Sequence, residues 1–326
     1  MKYAIQSINI QSGIFCLMKD RFQDIIWVGA DGQGIYMYFT DEFSIENVLL
    51  DVPEYRVNNP VRALFLDHEQ TLWIGTKGGG ILRMMDFHPD RETLPQAERI
   101  LANNSALMDN SVYSFAPGRR NSLWIGTEDG LNYYSYLTRR IEEFPVIADG
   151  KKVKYVHSIC ETNDSTLWVV SAGEGIVKIT LEASSSLPKV KSAQRFTLDG
   201  GKRNSNYFFV SYQENDSTIW FGNRGYGAYK MNTRTNQLTP CRIDDVVKNQ
   251  TVNDIFAIHK NDEGYWFGTS FGLTRLYQGE YRVYNETDGF PNNTIHGILE
   301  GRDNNLWLST NQGMVRFNVR ENTVQT

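Results

Sequence analysis

An all-β fold built from seven copies of one unit is predicted by three features of the sequence. All seven tryptophans (Trp27, Trp73, Trp124, Trp168, Trp220, Trp266 and Trp307) stand in the same local setting, after a turn-forming cluster and near the start of a short strand-like run. Successive tryptophans are 46, 51, 44, 52, 46 and 41 residues apart, a mean of roughly 47 that falls in the range of propeller blades. Aromatic residues make up 13% of the 326-residue chain, with 27 Gly and only 9 Pro, which suits many short strands joined by tight turns. The expectation is one seven-bladed β-propeller of four-stranded antiparallel blades over residues 1–326. The blades fall near 13–52, 60–102, 110–148, 154–198, 205–243, 251–284 and 294–319.

Within a unit, strand A is the apolar run before the turn, such as VRALFLD or SVYSFAP, and strand B carries the Trp. A Gly-bearing turn (KGGG, EDG, RGYG, NQG) leads into strand C, and glycine there permits the positive φ of a tight hairpin. Strand D is a more variable outer segment such as RIEEFPV. Strand A aligns into a column of small residues (Cys16, Ala63, Ser114, Ser158, Ala257, Gly297) preceded by a bulky one (Phe15, Arg62, Tyr113, His157, Phe256, His296). Neighbours along a strand face opposite sides of the sheet. The bulk of one blade is therefore expected to fill the hollow of the next. The fifth unit, around Phe208–Val210, fits these columns poorly. Each buried Trp adds about 4–6 kcal/mol from 150–250 Å² of hidden surface. A lone blade has two apolar faces to cover, which only a closed ring achieves. The last unit lacks a fourth strand after MVRFNV, and Lys2–Ile8 is expected to supply it, closing the ring.

Composition removes several functions. A net charge of -5 with no Lys/Arg run argues against a nucleic-acid surface, and no apolar run approaches the length of a membrane span. The N-terminal stretch lacks the apolar core of a secretion signal. Cys16, Cys160 and Cys241 match no metal-ligand spacing and read as free thiols. HExxH and P-loop motifs are absent, so neither a catalytic set nor a cofactor or metal site is expected. Of the five histidines, His157 and His296 sit in the bulky column and read as packing between blades. Asp/Asn clusters before the tryptophans (NDSTLW, ENDSTIW) read as Asx turns between strands A and B.

What remains is a binding surface. In four-stranded blades the B–C turns and D–A loops emerge on one face. The rim candidates there are Lys77, Arg203, Asn206, Tyr207, Arg224, Tyr226, Phe271 and Asn311, centred on Gly200–Tyr207 and Asn223–Gly227. Tyr and Phe interleaved with Arg, Lys and Asn suit the flat faces and hydroxyls of an oligosaccharide.

The strings LWIGTKGGGIL (Leu72–Leu82), LWIGTEDGLNYY (Leu123–Tyr134) and IHGILEGRDNNLWLSTNQGMVRFN (Ile295–Asn318) resemble the two-component regulator propeller repeat. Units four and five (WVVSAGEG, WFGNRGYG) depart from that consensus but keep its frame. The resemblance implies the periplasmic sensor part of a hybrid two-component receptor, in which two propellers commonly precede a β-sandwich, a membrane helix and a histidine kinase. Many such receptors sense carbohydrate and control polysaccharide-utilisation genes. It further implies an adjacent propeller and a β-sandwich as partners, a dimeric parent, and no enzyme activity in this chain. Two other readings stay open: an enzyme resembling streptogramin-type lyases, which also have seven Trp-rich blades, and a protein-interaction scaffold.

Overall fold

A computed structural model describes residues 5–48, 55–85, 96–163, 165–183, 185, 187–198, 205–241, 243, 249–301 and 304–319. The fold is the expected one. Strand β1 (Ile5–Ile8) precedes blade one, which is β2 (Ile14–Lys19), β3 (Ile25–Ala30), β4 (Ile35–Phe39) and β5 (Ser44–Val48). Blade two is β6 (Val61–Leu66), β7 (Leu72–Thr76), β8 (Ile81–Met85) and β9 (Gln96–Ile100). Blade three is β10 (Val112–Gly118), β11 (Ser122–Thr127), β12 (Gly130–Ser135) and β13 (Arg140–Phe144), followed by a small hairpin, β14 (Ile147–Ala148) and β15 (Lys151–Lys152). Blade four is β16 (Val156–Asn163), β17 (Thr166–Ser171), β18 (Gly175–Leu181) and β19 (Val190–Phe196). Blade five is β20 (Phe208–Asn215), β21 (Thr218–Asn223), β22 (Gly227–Asn232) and β23 (Gln237–Cys241). Blade six is β24 (Ile255–Asn261), β25 (Gly264–Thr269), β26 (Gly272–Tyr277) and β27 (Glu280–Tyr284). Blade seven has β28 (Ile295–Glu300), β29 (Leu306–Thr310) and β30 (Gly313–Phe317), and its fourth strand is β1.

Ring closure is visible in that last sheet, whose order is β1-β30-β29-β28. The latch runs antiparallel in a register of Ile5 with Phe317 through Ile8 with Met314. The expected segment reached back to Lys2; residues 1–4 lie outside the described ones.

Seven hydrophobic clusters hold the ring, one at each seam between blades. Trp27, Ile35 and Met37 of blade one meet Val61, Leu72 and Ile74 of blade two. Trp124 and Phe144 meet Val156 and Leu167 across the next seam but one. The closing seam joins Trp307 and Met314 to Ile14, Val28 and Tyr38. No tryptophan is more than 5% exposed, so each indole is wedged between its own blade and the next.

A buried indole N–H needs an acceptor. Asp20 takes it from Trp27, Asp67 from Trp73, Glu214 from Trp220 and Asn261 from Trp266, all at 2.8–3.0 Å. Glu161 of blade four takes that of Trp124 in blade three, which ties two blades together. Asp and Asn residues also form the A–B turns: Asp67 accepts from the Glu69 amide and Asn163 from the Ser165 amide, at 2.9 Å each. The Asx clusters therefore serve the turns, as expected.

In five blades the cross-strand partner of the Trp is a cation: Arg83, Lys178, Lys230, Arg275 and Arg316. Their charged ends lie 4.9–5.7 Å from the indole centroids. The stems of these side chains cover the indole while the heads gain cation–π attraction. The basic residue in an otherwise apolar strand C is thereby accounted for.

Candidate functional site at the propeller axis

Every innermost strand carries a bulge at the same place. The A–B ladder skips one residue between Ile14 and Cys16, Val61 and Ala63, Val112 and Ser114, Val156 and Ser158, Phe208 and Val210, Ile255 and Ala257, and Ile295 and Gly297. The skipped residues are Phe15, Arg62, Tyr113, His157, Phe209, Phe256 and His296. A bulge breaks strict alternation and re-aims a side chain. Here it turns one side chain per blade toward the common axis, where all seven line one cavity of about 530 Å³.

This corrects the expectation that the bulky column fills hollows in the neighbouring blades. The small column alone meets the seams: Cys16 Sγ lies 3.8 Å from the Val61 carbonyl, and Ser114 Oγ donates to the Val156 carbonyl at 3.2 Å. The poorly fitting fifth unit has a bulge like the others, with Phe209 in the axial position and the larger Val210 in the small column.

The axial side chains touch one another around the ring. Phe15 and His296 are 5.1 Å apart in a T-shaped contact, and His296 and Phe256 are 5.5 Å apart. Phe256 to Phe209 is 6.1 Å, Phe209 to His157 is 5.0 Å, and His157 stacks on Tyr113 at 4.4 Å. Arg62 joins the collar with its guanidinium 3.6 Å from the Phe15 centroid. Tyr113 donates its hydroxyl to Glu128 at 2.9 Å, and His296 Nε2 is 2.7 Å from Asn311 Oδ1. The result is an aromatic collar with one guanidinium and two imidazoles.

Burial, helped by the charges of Arg62 and Lys77, pushes the His157 imidazole down from 6.5 to about 4. His296 is also lowered, chiefly by burial. Both imidazoles are therefore neutral at pH 7. Since the unfolded chain binds the His157 proton and the folded site refuses it, stability is full above pH 6.5. It falls as the pH drops from 6.5 toward 4, by about 1–2 kcal/mol at pH 5 from this group alone. His157→Phe is expected to remove that share, giving a flatter dependence of melting temperature on pH between 4 and 6.5. An unchanged slope would mean that the imidazole titrates as it does in water.

The B–C turns and D–A loops surround this collar, knit by backbone bonds. The Lys77 amide donates to the Pro60 carbonyl at 2.9 Å, and those of Gly78 and Gly80 donate to Asn110 of the next blade at 3.1 and 2.8 Å. Of the rim residues, Lys77 is exposed and lines the axial cavity. Asn311 is exposed and reaches the cavity wall through His296. Tyr207 bridges to Ala172 in blade four, and its ring lies 6.5 Å from Phe209. Asn206 is 1% exposed; its carboxamide accepts from the Leu198 amide at 2.7 Å and donates to the Leu198 carbonyl at 3.3 Å, so it anchors the loop. Arg224 is exposed on its turn. Tyr226 packs on the cluster between blades four and five, and Phe271 on the one between five and six. Arg203 lies outside the described residues.

The family model of the two-component regulator propeller matches residues 56–78, 106–129 and 289–312, in blades two, three and seven. Those three repeats are similar to the two-component regulator propeller repeat. A curated relative, histidine kinase P4 of Formosa agariphila, is 26% identical over 181 residues, covering 54% of this chain and 13% of the relative. The chain thus spans a small part of the relative's length. Among solved structures, the extracellular domain of a hybrid two-component system from B. thetaiotaomicron superposes with a TM-score of 0.75 at 16% identity, over 97% of this chain and 42% of that one. Streptogramin B lyase superposes with a TM-score of 0.71 at 15% identity, over 97% of each chain. Likeness at this identity establishes shape, and a shared propeller carries no chemistry of its own. Among the described residues the two axial imidazoles face rings and an amide, not carboxylates. Among the described residues no group of three His, Cys, Asp or Glu is gathered as metal ligands. No described helix is long and apolar enough to cross a membrane.

Proposed function

We propose that this chain is a ligand-sensing propeller of a hybrid two-component receptor, on the extracytoplasmic side of the membrane, and that it takes an oligosaccharide at its axial collar. The observation that carries this reading is the convergence of seven bulged side chains on one cavity of about 530 Å³ at the centre of the loop face. A mostly aromatic wall with a few polar groups is the usual composition of a small-ligand site, and such sites occupy some 300–1,000 Å³. Aromatic rings take the apolar faces of sugars, while Lys77 and Asn311 offer polar groups to hydroxyls. The repeat family and the kinase relative support the receptor setting. Binding would reach a membrane-linked histidine kinase, and from it gene control, only if the ligand favours one arrangement of the neighbouring propeller and β-sandwich of the parent.

Calorimetric titration of the chain with glycan fragments tests the site. Phe209→Ala and Tyr113→Ala are each expected to weaken a bound glycan about tenfold through loss of ring contact, with Arg224→Ala nearly silent. Loss in Arg224→Ala with no change at Phe209 would move the site out to the rim.

A further inference from the structure

Resting on that reading, we infer that the ligand presents an anion to the axis, a carboxylate or sulfate ester of an acidic oligosaccharide, and that Arg62 holds it. Six of the seven axial positions carry a ring, and Arg62 alone carries a fixed charge. Its Nε is buried with no hydrogen-bond partner, and among the described residues no carboxylate lies within ion-pair distance of its guanidinium. Arg83, Arg139, Arg195 and Arg275, by contrast, each pair with a glutamate.

A half-buried guanidinium left without a carboxylate is costly to the fold. It persists here on the face of Phe15, which stabilises the cation without using its in-plane N–H donors. Those donors form a planar fork whose geometry suits a carboxylate or sulfate. Lys77 adds a second cation at the same cavity. Among the described residues neither nearby acid forms an ion pair with these two cations. Asp31 acts on Arg62 only at a distance, and Glu128 is engaged by the Tyr113 hydroxyl. With both imidazoles neutral, an entering anion finds its charge partner at Arg62 and ring faces beside it.

The test uses the whole chain with three probes of similar size: trigalacturonate, a 6-sulfated chondroitin disaccharide and neutral galactotriose. Binding is followed by ligand-observed NMR. At least one acidic probe is expected to bind about tenfold to a hundredfold more tightly than the neutral one, the range of a charge-assisted hydrogen bond. Arg62→Gln should abolish that preference, and inorganic sulfate should compete with the acidic probe. Arg62→Lys keeps the charge without the fork and should restore part of the preference, which guards against a folding defect in Arg62→Gln. Equal binding of acidic and neutral probes, or an acid preference unchanged in Arg62→Gln, would overturn the role of Arg62 and leave the glycan site standing. Failure of all three probes to bind would overturn both.

Discussion

Deleting residues 1–10 is expected to lower the melting temperature by about 10 °C or more and to leave a chain prone to aggregate. The deletion removes the outer strand of blade seven, with its ladder from Ile5 to Ile8 against Met314–Phe317. It also removes Ile10, 5% exposed in the seam with Ile14, Tyr38 and Trp307. Burial of Ile10 contributes about 2–3 kcal/mol, and the ladder bonds about 1 kcal/mol each. For a domain larger than 250 residues, 1 kcal/mol corresponds to about 2 °C. The damage extends beyond that sum, because β30 becomes an open edge able to pair with another chain. Differential scanning calorimetry and light scattering read both effects. A melt unchanged by the deletion would mean that the ring is held shut without this strand.

Gly126→Val is expected to cost about 3 kcal/mol or more, near the upper end for overpacking, although the backbone there is ordinary β-strand. The site has no room. A Cβ on Gly126 would collide with Ser114 Oγ and stand 2.6 Å from the Val156 carbonyl oxygen and 2.7 Å from Val156 Cγ1. Gly126 faces the seam between blades three and four, so the clash pushes two blades apart. Shortening Ser114 to Gly relieves only one of these contacts, so the double variant should recover part of the loss. Urea unfolding measures the cost; a valine tolerated within 1 kcal/mol would show that the seam is looser than these distances imply.

The blades, their number and the closure of the ring were legible because each rests on a local rule. An indole every 47 residues or so marks one equivalent slot, and a chain that leaves one blade a strand short must find it elsewhere. The small column was legible too, since Ala63, Ser114 and Gly297 have no other reason to align. The axial site was not. Strict alternation assigns Phe15, Tyr113 and His157 to a sheet face, and a bulge leaves no residue signature when the bulged position is not glycine. The available clue was chemical: Arg62, His157 and His296 share a column with phenylalanines, an odd mixture for a seam but natural for a cavity wall. The rim was legible only as a face. Which of its side chains remain available depends on loop hydrogen bonds, such as those that occupy Asn206.

Hydrogen exchange of the chain with and without a bound oligosaccharide tests the axial site most directly. Slowed exchange is expected at the amides beside the seven bulges, from Ile14–Cys16 round to Ile295–Gly297, and in the turn of Lys77, with the outer strands β5, β9 and β27 unchanged. Protection confined to those outer strands, or to the opposite face around Lys19, Asp24 and Thr40, would contradict it.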